Sequence, residues 1–152
     1  ILYKKMGKVP AEEFYKIRQE QIEQTNTDYF MVVDGDEIWY KKSLEELEEI
    51  LQIKPFLVAT RFINACGDVF HYRLDSRETY CINGEIGAIT IRVYSMDIPG
   101  ISCSGLYGVE GYVDSEGISV QNQNYFTITQ NGKFFHKILL LIIVIRFHND
   151  SS

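Results

Sequence analysis

Three carboxylates stand within four residues in the segment Asp34-Gly35-Asp36-Glu37. Acidic side chains this close repel one another unless something offsets their charge. A divalent cation does so, and hard oxygen ligands favour Mg²⁺ or Mn²⁺ over zinc. Gly35 lacks a Cβ and therefore lets backbone or ligand approach closely. The pattern predicts a metal site, and the alternative is an Asp-Gly turn with solvated acids.

The apolar run Tyr29-Phe30-Met31-Val32-Val33, directly before the acids, predicts a strand. It is rich in β-branched and aromatic residues and too short for a helix, so it suits a strand buried on both faces. Ligand sites of α/β sheets lie at the ends of such strands, which supports the metal site and leaves the solvated turn as an open alternative.

The segment Thr27–Trp39, which contains the run and the acids, resembles the Asp-x-Asp strand of GT-A glycosyltransferases, especially those of family 2. The resemblance extends over residues 10–136. It implies an α/β class, with a partial GT-A (Rossmann-like) nucleotide-sugar transferase fold and a mixed sheet. It also implies that Asp34 and Asp36 hold Mn²⁺ or Mg²⁺ on the diphosphate of a nucleotide-sugar donor, with Asp36 as the main ligand.

The same resemblance implies roles for two residues outside the motif. Arg18 lies in Lys16-Ile17-Arg18-Gln19, on the predicted helix before the acids, and would bind near the diphosphate together with Asp34. His136, in Phe134-Phe135-His136, would return to the metal as a third protein ligand. The alternatives are a solvated surface arginine and a histidine bonded to a backbone carbonyl.

Residues 99–117 contain five glycines interleaved with aromatic and acidic residues, which predicts a loop region. The resemblance implies an acceptor loop at 105–112. An inverting transfer needs a general base to take the proton of the acceptor hydroxyl, and Glu110 is the first candidate, with Asp114 second. The sequence leaves open whether transfer inverts or retains, and a glycine-rich turn with incidental acids is the alternative.

Length, charge and cysteine content limit the classes of function that the chain can have. The 152 residues make one domain, and a net charge of −6 argues against a nucleic-acid groove. Three widely spaced cysteines, Cys66, Cys81 and Cys103, indicate neither a zinc site nor a disulfide framework, so a cytoplasmic protein is expected. The apolar run 138–145 falls short of the ~20 residues that span a bilayer. It predicts a core strand or a peripheral contact with a membrane surface.

The GT-A family places a first βαβ unit, which grips the nucleotide base, ahead of its acidic motif. The chain begins at Ile1 without that unit, so we interpret it as a single incomplete GT-A domain that is catalytically inert alone. Residues 1–95 would be the acidic-motif core, 96–136 the acceptor region and 137–152 a divergent tail. The implied partners are a nucleotide-sugar donor and a sugar or lipid acceptor.

Two other functions compete with sugar transfer. A haloacid-dehalogenase-like phosphatase also opens on a buried strand followed by Asp-x-Asp, but a Thr or Val usually follows where Ile38 stands here. Its later lysine and acidic motifs are not evident either. The second alternative is a truncated, non-catalytic domain.

The remaining pattern predicts the elements that position these residues. A helix is expected from Pro10 to about Gln24, and a second one capped by Ser43, with Glu46 completing a capping box. Strands are expected at 56–63, 69–73 and 86–94, with Arg92 facing the site and a polar loop at 74–84. A further hairpin is expected around Asn131-Gly132.

Overall fold

The structure is a computed structural model, and it describes residues 7–35, 37–66, 68–72, 80–82, 85–121 and 139–147. A short 3₁₀ turn over Ala11–Glu13 leads into the first helix. The named elements, in chain order, are α1 (Phe14–Glu23), β1 (Tyr29–Met31), β2 (Glu37–Ile38), α2 (Lys41–Leu51), β3 (Leu57–Cys66), β4 (Asp68–Tyr72), β5 (Tyr80–Ile82), β6 (Glu85–Gly87), β7 (Ile89–Ser95), β8 (Ser102–Ser104), β9 (Gly111–Val113) and β10 (Leu139–Phe147).

The main sheet of the described chain has the strand order β1-β7-β3-β10-β2, and β4 pairs with one end of β3. The β3–β10 pair is parallel, and the other pairs are antiparallel. The chain is therefore a mixed α/β protein with a mixed sheet, as predicted. The apolar run near the C-terminus supplies β10, which lies inside this sheet.

The two faces of the sheet are covered by different helices. Along β3, Leu57 and Ala59 join a cluster with Ile22 of α1, whereas Val58 and Phe62 join one with Leu47 of α2. Successive residues of a strand point to opposite faces, so the apolar run of β3 feeds both clusters. β7, in the interior of the sheet, is buried along nearly its whole length.

The prediction that the strand before the acids is buried on both faces is wrong. β1 lies at the edge of the sheet and pairs with β7, and Met31 is exposed on it. The aromatic and β-branched composition gave the correct element type. It does not distinguish an interior strand from an edge strand whose inner side packs on aromatic neighbours.

The capping box predicted at Ser43 is also wrong. α2 begins two residues earlier, at Lys41, with Tyr40 as its N-cap and no side-chain cap hydrogen bond. Ser43 is buried inside the first turn. The apolar stripe of the helix, which includes Leu47, packs as its spacing predicts.

Two segments are more regular than the glycine and polar patterns predicted, and one predicted strand is divided. The polar loop at 74–84 contains β5, which pairs with β6 in a small hairpin. The predicted strand at 86–94 is two strands, β6 and β7. The glycine-rich segment holds a second hairpin, β8–β9. The hairpin predicted around Asn131-Gly132 lies outside the described residues. Within the described chain, no helix has the length and apolarity needed to cross a membrane.

Candidate functional site

Two arginines converge on the Asp34 carboxylate just after β1. A terminal nitrogen (Nη2) of Arg18, from α1, lies 3.3 Å from Asp34 Oδ1. The Nη2 of Arg92, from β7, lies 3.0 Å from Asp34 Oδ2. The structure therefore brings together two residues that the sequence predicted near a diphosphate, Arg18 and Asp34, and confirms that Arg92 faces the same place.

Arg92 also contacts the carboxylate of Glu37, through Glu37 Oε1. The Glu37 side chain is only 1% exposed and that of Arg92 is 10% exposed, so this ion pair is shielded from solvent. Burial raises the pKa of Glu37, while the Arg92 guanidinium acts in the opposite direction. The charge of the two described carboxylates, Asp34 and Glu37, is thus matched by that of two arginines.

The acidic residues form a closed turn. The Glu37 N–H donates to the Asp34 carbonyl at 3.1 Å, and the Asp34 N–H donates to Glu37 Oε2 at 3.4 Å. The same Oε2 accepts the indole N–H of Trp39 at 3.3 Å. Asp36 lies within this turn, outside the described residues.

α1 positions Arg18 from its middle turn. The guanidinium carbon lies 5.5 Å from the centroid of the Phe14 ring, one helical turn earlier, in a cation–π arrangement. Arg18 is 18% exposed and is therefore more accessible than Arg92. Of the two arginines, Arg18 is the one that a ligand can reach.

A pocket of about 310 Å³ opens beside Arg18. This volume is at the small end of the range for ligand pockets, enough for a phosphate or a single sugar unit with part of its neighbour. The lining residues are Arg18, Gln21, Ile22, Thr25, Phe30, Met31, Val32, Val33 and Tyr112.

Phe30 and Tyr112, which line the pocket, form an aromatic cluster with Tyr94. Phe30 of β1 stacks on Tyr94 of β7 with centroids 5.1 Å apart, and Tyr112 of β9 lies 4.3 Å from Tyr94 and 5.4 Å from Phe30. Burial raises the pKa of Tyr112 to about 12. Tyr112 lines the same pocket as Arg18, and Glu110 stands two residues before Tyr112, directly ahead of β9; this region is the neighbourhood of Tyr112.

The β8–β9 hairpin brings Glu110 to this neighbourhood. The hairpin is docked on α1, because the Cys103 N–H donates to Gln19 Oε1 at 2.9 Å and the Tyr107 ring meets Phe14 edge-on at 4.8 Å. Glu110 is half-buried at the base of the hairpin loop and accepts the Gly108 N–H. Its charge also acts on the Cys103 thiol, whose pKa burial raises to about 11.

Asp114 stabilises a backbone turn. Its Oδ1 accepts the backbone N–H groups of Glu116 and Ile118, both at 2.9 Å, and so organises the turn after β9. The side chain is also buried. Of the two carboxylates predicted as a general base, Glu110 is therefore the better placed to meet a substrate.

Of the three predicted metal ligands, only Asp34 lies among the described residues. Asp36 and His136 lie outside the described residues, and each described oxygen of Asp34 already faces an arginine. Among the described residues, no group of three or more His, Cys, Asp or Glu side chains is arranged to hold an ion. The described donors do not by themselves fit a cation site, so no chemical step is derived through one.

Three members of the site were not assigned from the sequence: Glu37 as the partner of Arg92, Trp39 as its hydrogen-bond donor, and Tyr112 as a pocket wall. Glu37 and Arg92 are 55 residues apart, and their contact depends on the pairing of β1 with β7 and of β2 with β10. Spacing within the motif could not reveal that contact.

Comparison with known proteins leaves the family open. A scan against protein-family models found no matching family, and a search of curated proteins found no significant match.

Proposed function

We propose that the chain carries the donor-diphosphate and acceptor regions of a glycosyltransferase with a GT-A-like architecture, acting on a nucleotide-sugar. The observation that carries the proposal is the placement of Arg18 beside both Asp34 and the pocket. An accessible arginine at the end of a sheet strand suits a diphosphate, because a guanidinium forms bidentate, charge-assisted hydrogen bonds with phosphate oxygens.

In this proposal, Arg92 has a structural role and Arg18 has a ligand-binding role. Arg92 is held between two carboxylates and is nearly buried, so it maintains the turn. Arg18 makes a single, longer contact with Asp34 and lines the pocket, so it can turn toward an arriving phosphate. The positive charge would then stabilise the leaving diphosphate as the sugar C–O bond breaks.

Glu110 is proposed as the general base of an inverting transfer. Glu110 directly precedes β9, and Tyr112 of that strand lines the pocket together with Arg18, which supports a role for the carboxylate near a bound diphosphate. Its role would be to accept the proton of the acceptor hydroxyl. The exposed aromatic Tyr107 on the same hairpin offers a stacking face for a sugar or lipid-linked acceptor.

The metal remains part of the proposal through Asp36 as the main ligand, with Asp34 and His136 as the further candidates. When bound, Mn²⁺ or Mg²⁺ would neutralise charge on the diphosphate. Because Asp34 is already shared by two arginines, it is expected to contribute less to metal affinity than Asp36.

The test is a calorimetric titration of the protein with UDP and with GDP, each in the presence and absence of MnCl₂. Arg18→Gln should weaken nucleotide affinity by about tenfold or more. Lys16→Gln is the matched control, since Lys16 lies on the same helix, is exposed and pairs with Glu13. Asp36→Asn should remove the Mn²⁺ dependence without changing metal-free binding.

Equal affinities of the wild type and Arg18→Gln would contradict the diphosphate assignment. Transfer from a radiolabelled nucleotide-sugar is measured on the wild type and on Glu110→Gln, which should abolish transfer and keep nucleotide binding. Release of phosphate from p-nitrophenyl phosphate, without any nucleotide binding, would favour the phosphatase alternative instead. Absence of both activities and of binding would favour the non-catalytic domain.

A further inference from the structure

We propose that Glu37 and Arg92 are positioning residues that lock the acidic turn in its conformation before any ligand binds. The significance of this lock for catalysis rests on the proposed function, but its existence does not. It concerns two residues to which the Asp-x-Asp pattern assigns no role.

The turn is closed from inside by its own backbone and by Glu37. The Glu37 N–H bonds the Asp34 carbonyl at 3.1 Å, which gives a four-residue turn with Gly35 in it. The Glu37 side chain then reaches back to the Asp34 N–H at 3.4 Å. One residue therefore satisfies both backbone groups at the start of the turn, and the turn has little freedom to open unless Glu37 moves.

Arg92 closes the turn from outside. Its backbone carbonyl accepts the Val32 N–H at 2.8 Å, just before the turn, and its side chain bridges Asp34 and Glu37. Arg92 thus holds three points of one short segment. Because β7 is a buried strand with neighbours on both sides, the anchor is part of the rigid sheet.

Trp39 fixes the remaining oxygen of the lock. Its indole N–H donates to Glu37 Oε2, and the ring packs against the α2 cluster. The Glu37 carboxylate is therefore held by Arg92 on one oxygen and by Trp39 on the other. A buried ion pair is a weak source of net stability compared with apolar residues of similar size, so this arrangement is better understood as fixing a geometry.

The consequence is a preorganised site. A carboxylate site gains affinity and selectivity when its ligands are held by a supporting shell rather than ordered by the ligand. The two residues support the diphosphate site without entering it, since Glu37 is almost completely buried.

The test is native-state amide exchange followed by NMR on the ligand-free protein. The amides of Asp34 and Glu37 report on the turn, and that of Val93 in β7 reports on the core. Glu37→Gln and Arg92→Lys should each speed exchange at the two turn amides by about tenfold relative to Val93. Arg92→Lys keeps the charge but cannot bridge two carboxylates with one planar group, and its fold is expected to survive.

Glu46→Gln is the matched control, because Glu46 is an exposed glutamate on α2 that pairs with Lys42. It should leave the turn-to-core exchange ratio at the wild-type value. The Trp39 indole N–H resonance gives a second reading, since it should move upfield in Glu37→Gln as the hydrogen bond weakens.

Uniform acceleration at the turn and core amides in both variants, or none at all, would overturn the lock. A parallel calorimetric titration with MnCl₂ and UDP tests the proposed function separately, because it measures binding. A wild type that binds neither probe, with turn amides that loosen in the variants, would refute the diphosphate site and support the lock. Binding by the wild type, together with an unchanged exchange ratio in both variants, would support the diphosphate site and refute the lock.

Discussion

The Arg92 guanidinium lies between the Asp34 and Glu37 carboxylates, so a residue of the buried strand β7 ties together both ends of the acidic turn. This contact, with that of Arg18, offsets the repulsion that the sequence predicted between neighbouring acids. A metal ion is therefore not needed to hold Asp34 and Glu37 close. The metal proposal depends on Asp36, whose charge adds to a cluster that is otherwise balanced.

The first prediction is that Arg92→Met destabilises the protein strongly. The substitution leaves Glu37 buried without its counter-charge, which costs about 3–5 kcal/mol of unfolding free energy in comparable cases. Urea unfolding followed by the fluorescence of Trp39, the single tryptophan, measures the loss. Adding Glu37→Leu to the same chain should recover part of it, because the uncompensated charge is then removed.

The comparison for this measurement is Lys41→Met, which breaks an exposed pair with Glu45 on α2. Its effect should be far smaller, because exposed ion pairs are screened and cost side-chain entropy. If Arg92→Met and Lys41→Met shift the urea midpoint equally, the Arg92–Glu37 pair does not stabilise the turn as argued.

The local sequence pattern predicted the types of the elements. It did not predict which elements lie next to one another in the fold. The aromatic and β-branched composition of residues 29–33 predicted a strand, but burial on both faces depends on which strands pair with it. β1 is at an edge because, among the described strands, only β7 pairs with it. Likewise, the sequence around Ser43 fits the capping-box pattern, yet the helix begins earlier, at Lys41. Ser43 is therefore buried within the helix and does not cap it.

For the site, the sequence identified the groups that lie close together along the chain. Asp34 was assigned from the acidic motif and Arg18 from its position on the preceding helix, and the two are in contact. The contact of Glu37 with Arg92 depends on strand pairing, since Arg92 lies on β7, which pairs with β1, and Glu37 lies on β2, which pairs with β10. Register is set by the packing of the whole sheet, and the spacing of acids within one turn carries no information about it.

The second prediction separates the two candidate bases. Asp114→Ala leaves the backbone N–H groups of Glu116 and Ile118 without their acceptor, at a cost of about 2 kcal/mol of unfolding free energy. Asp114→Asn keeps an acceptor oxygen and should cost much less. Glu110→Gln should change the urea midpoint little, because its described partner is one loop N–H.

Sugar transfer by the natural protein completes that comparison. Asp114→Asn is expected to retain transfer, whereas Glu110→Gln is expected to lose it, since an amide cannot accept the proton of the acceptor hydroxyl. A reversal of these two results would move the base assignment from Glu110 to Asp114.

The third prediction concerns the loop that carries Glu110. Gly105 has φ of +108°, and a Cβ there would lie 3.0 Å from both the Glu110 Cα and the Val109 carbonyl oxygen. Gly105→Ala should therefore displace Glu110 and shift the NMR resonance of the Gly108 N–H that bonds its carboxylate. Gly117→Ala is the control, because Gly117 also has positive φ, +74°, but open space around its Cβ position.

Both substitutions carry the penalty of a left-handed backbone, about 1–2 kcal/mol. Only Gly105→Ala adds a steric conflict, so its loss of stability should be the larger and the Gly108 resonance should move in it alone. Equal losses with an unmoved Gly108 resonance would mean that the loop tolerates a side chain at position 105.

The last prediction is a loss of stability in alkali. Burial raises the pKa of Cys103 from 9.0 to about 11 and that of Tyr112 from 10.0 to about 12, and it raises the pKa of Tyr94 as well. The unfolded chain therefore releases these protons at lower pH than the folded chain does. The stabilisation from these groups is complete below pH 9, and it is lost as the pH rises through 11 and 12.

Tyr112→Phe isolates one part of this effect, because phenylalanine cannot ionise. Between pH 9 and 12 the variant should lose less unfolding free energy than the wild type, by on the order of 2 kcal/mol. Tyr107→Phe is the matched control, since Tyr107 is exposed on the hairpin tip, and it should keep the wild-type slope. Urea unfolding at stepwise pH measures all three slopes. Parallel slopes for the wild type and Tyr112→Phe would show that the Tyr112 phenol ionises equally well in the folded and unfolded chains, and so is not buried against the pocket as described.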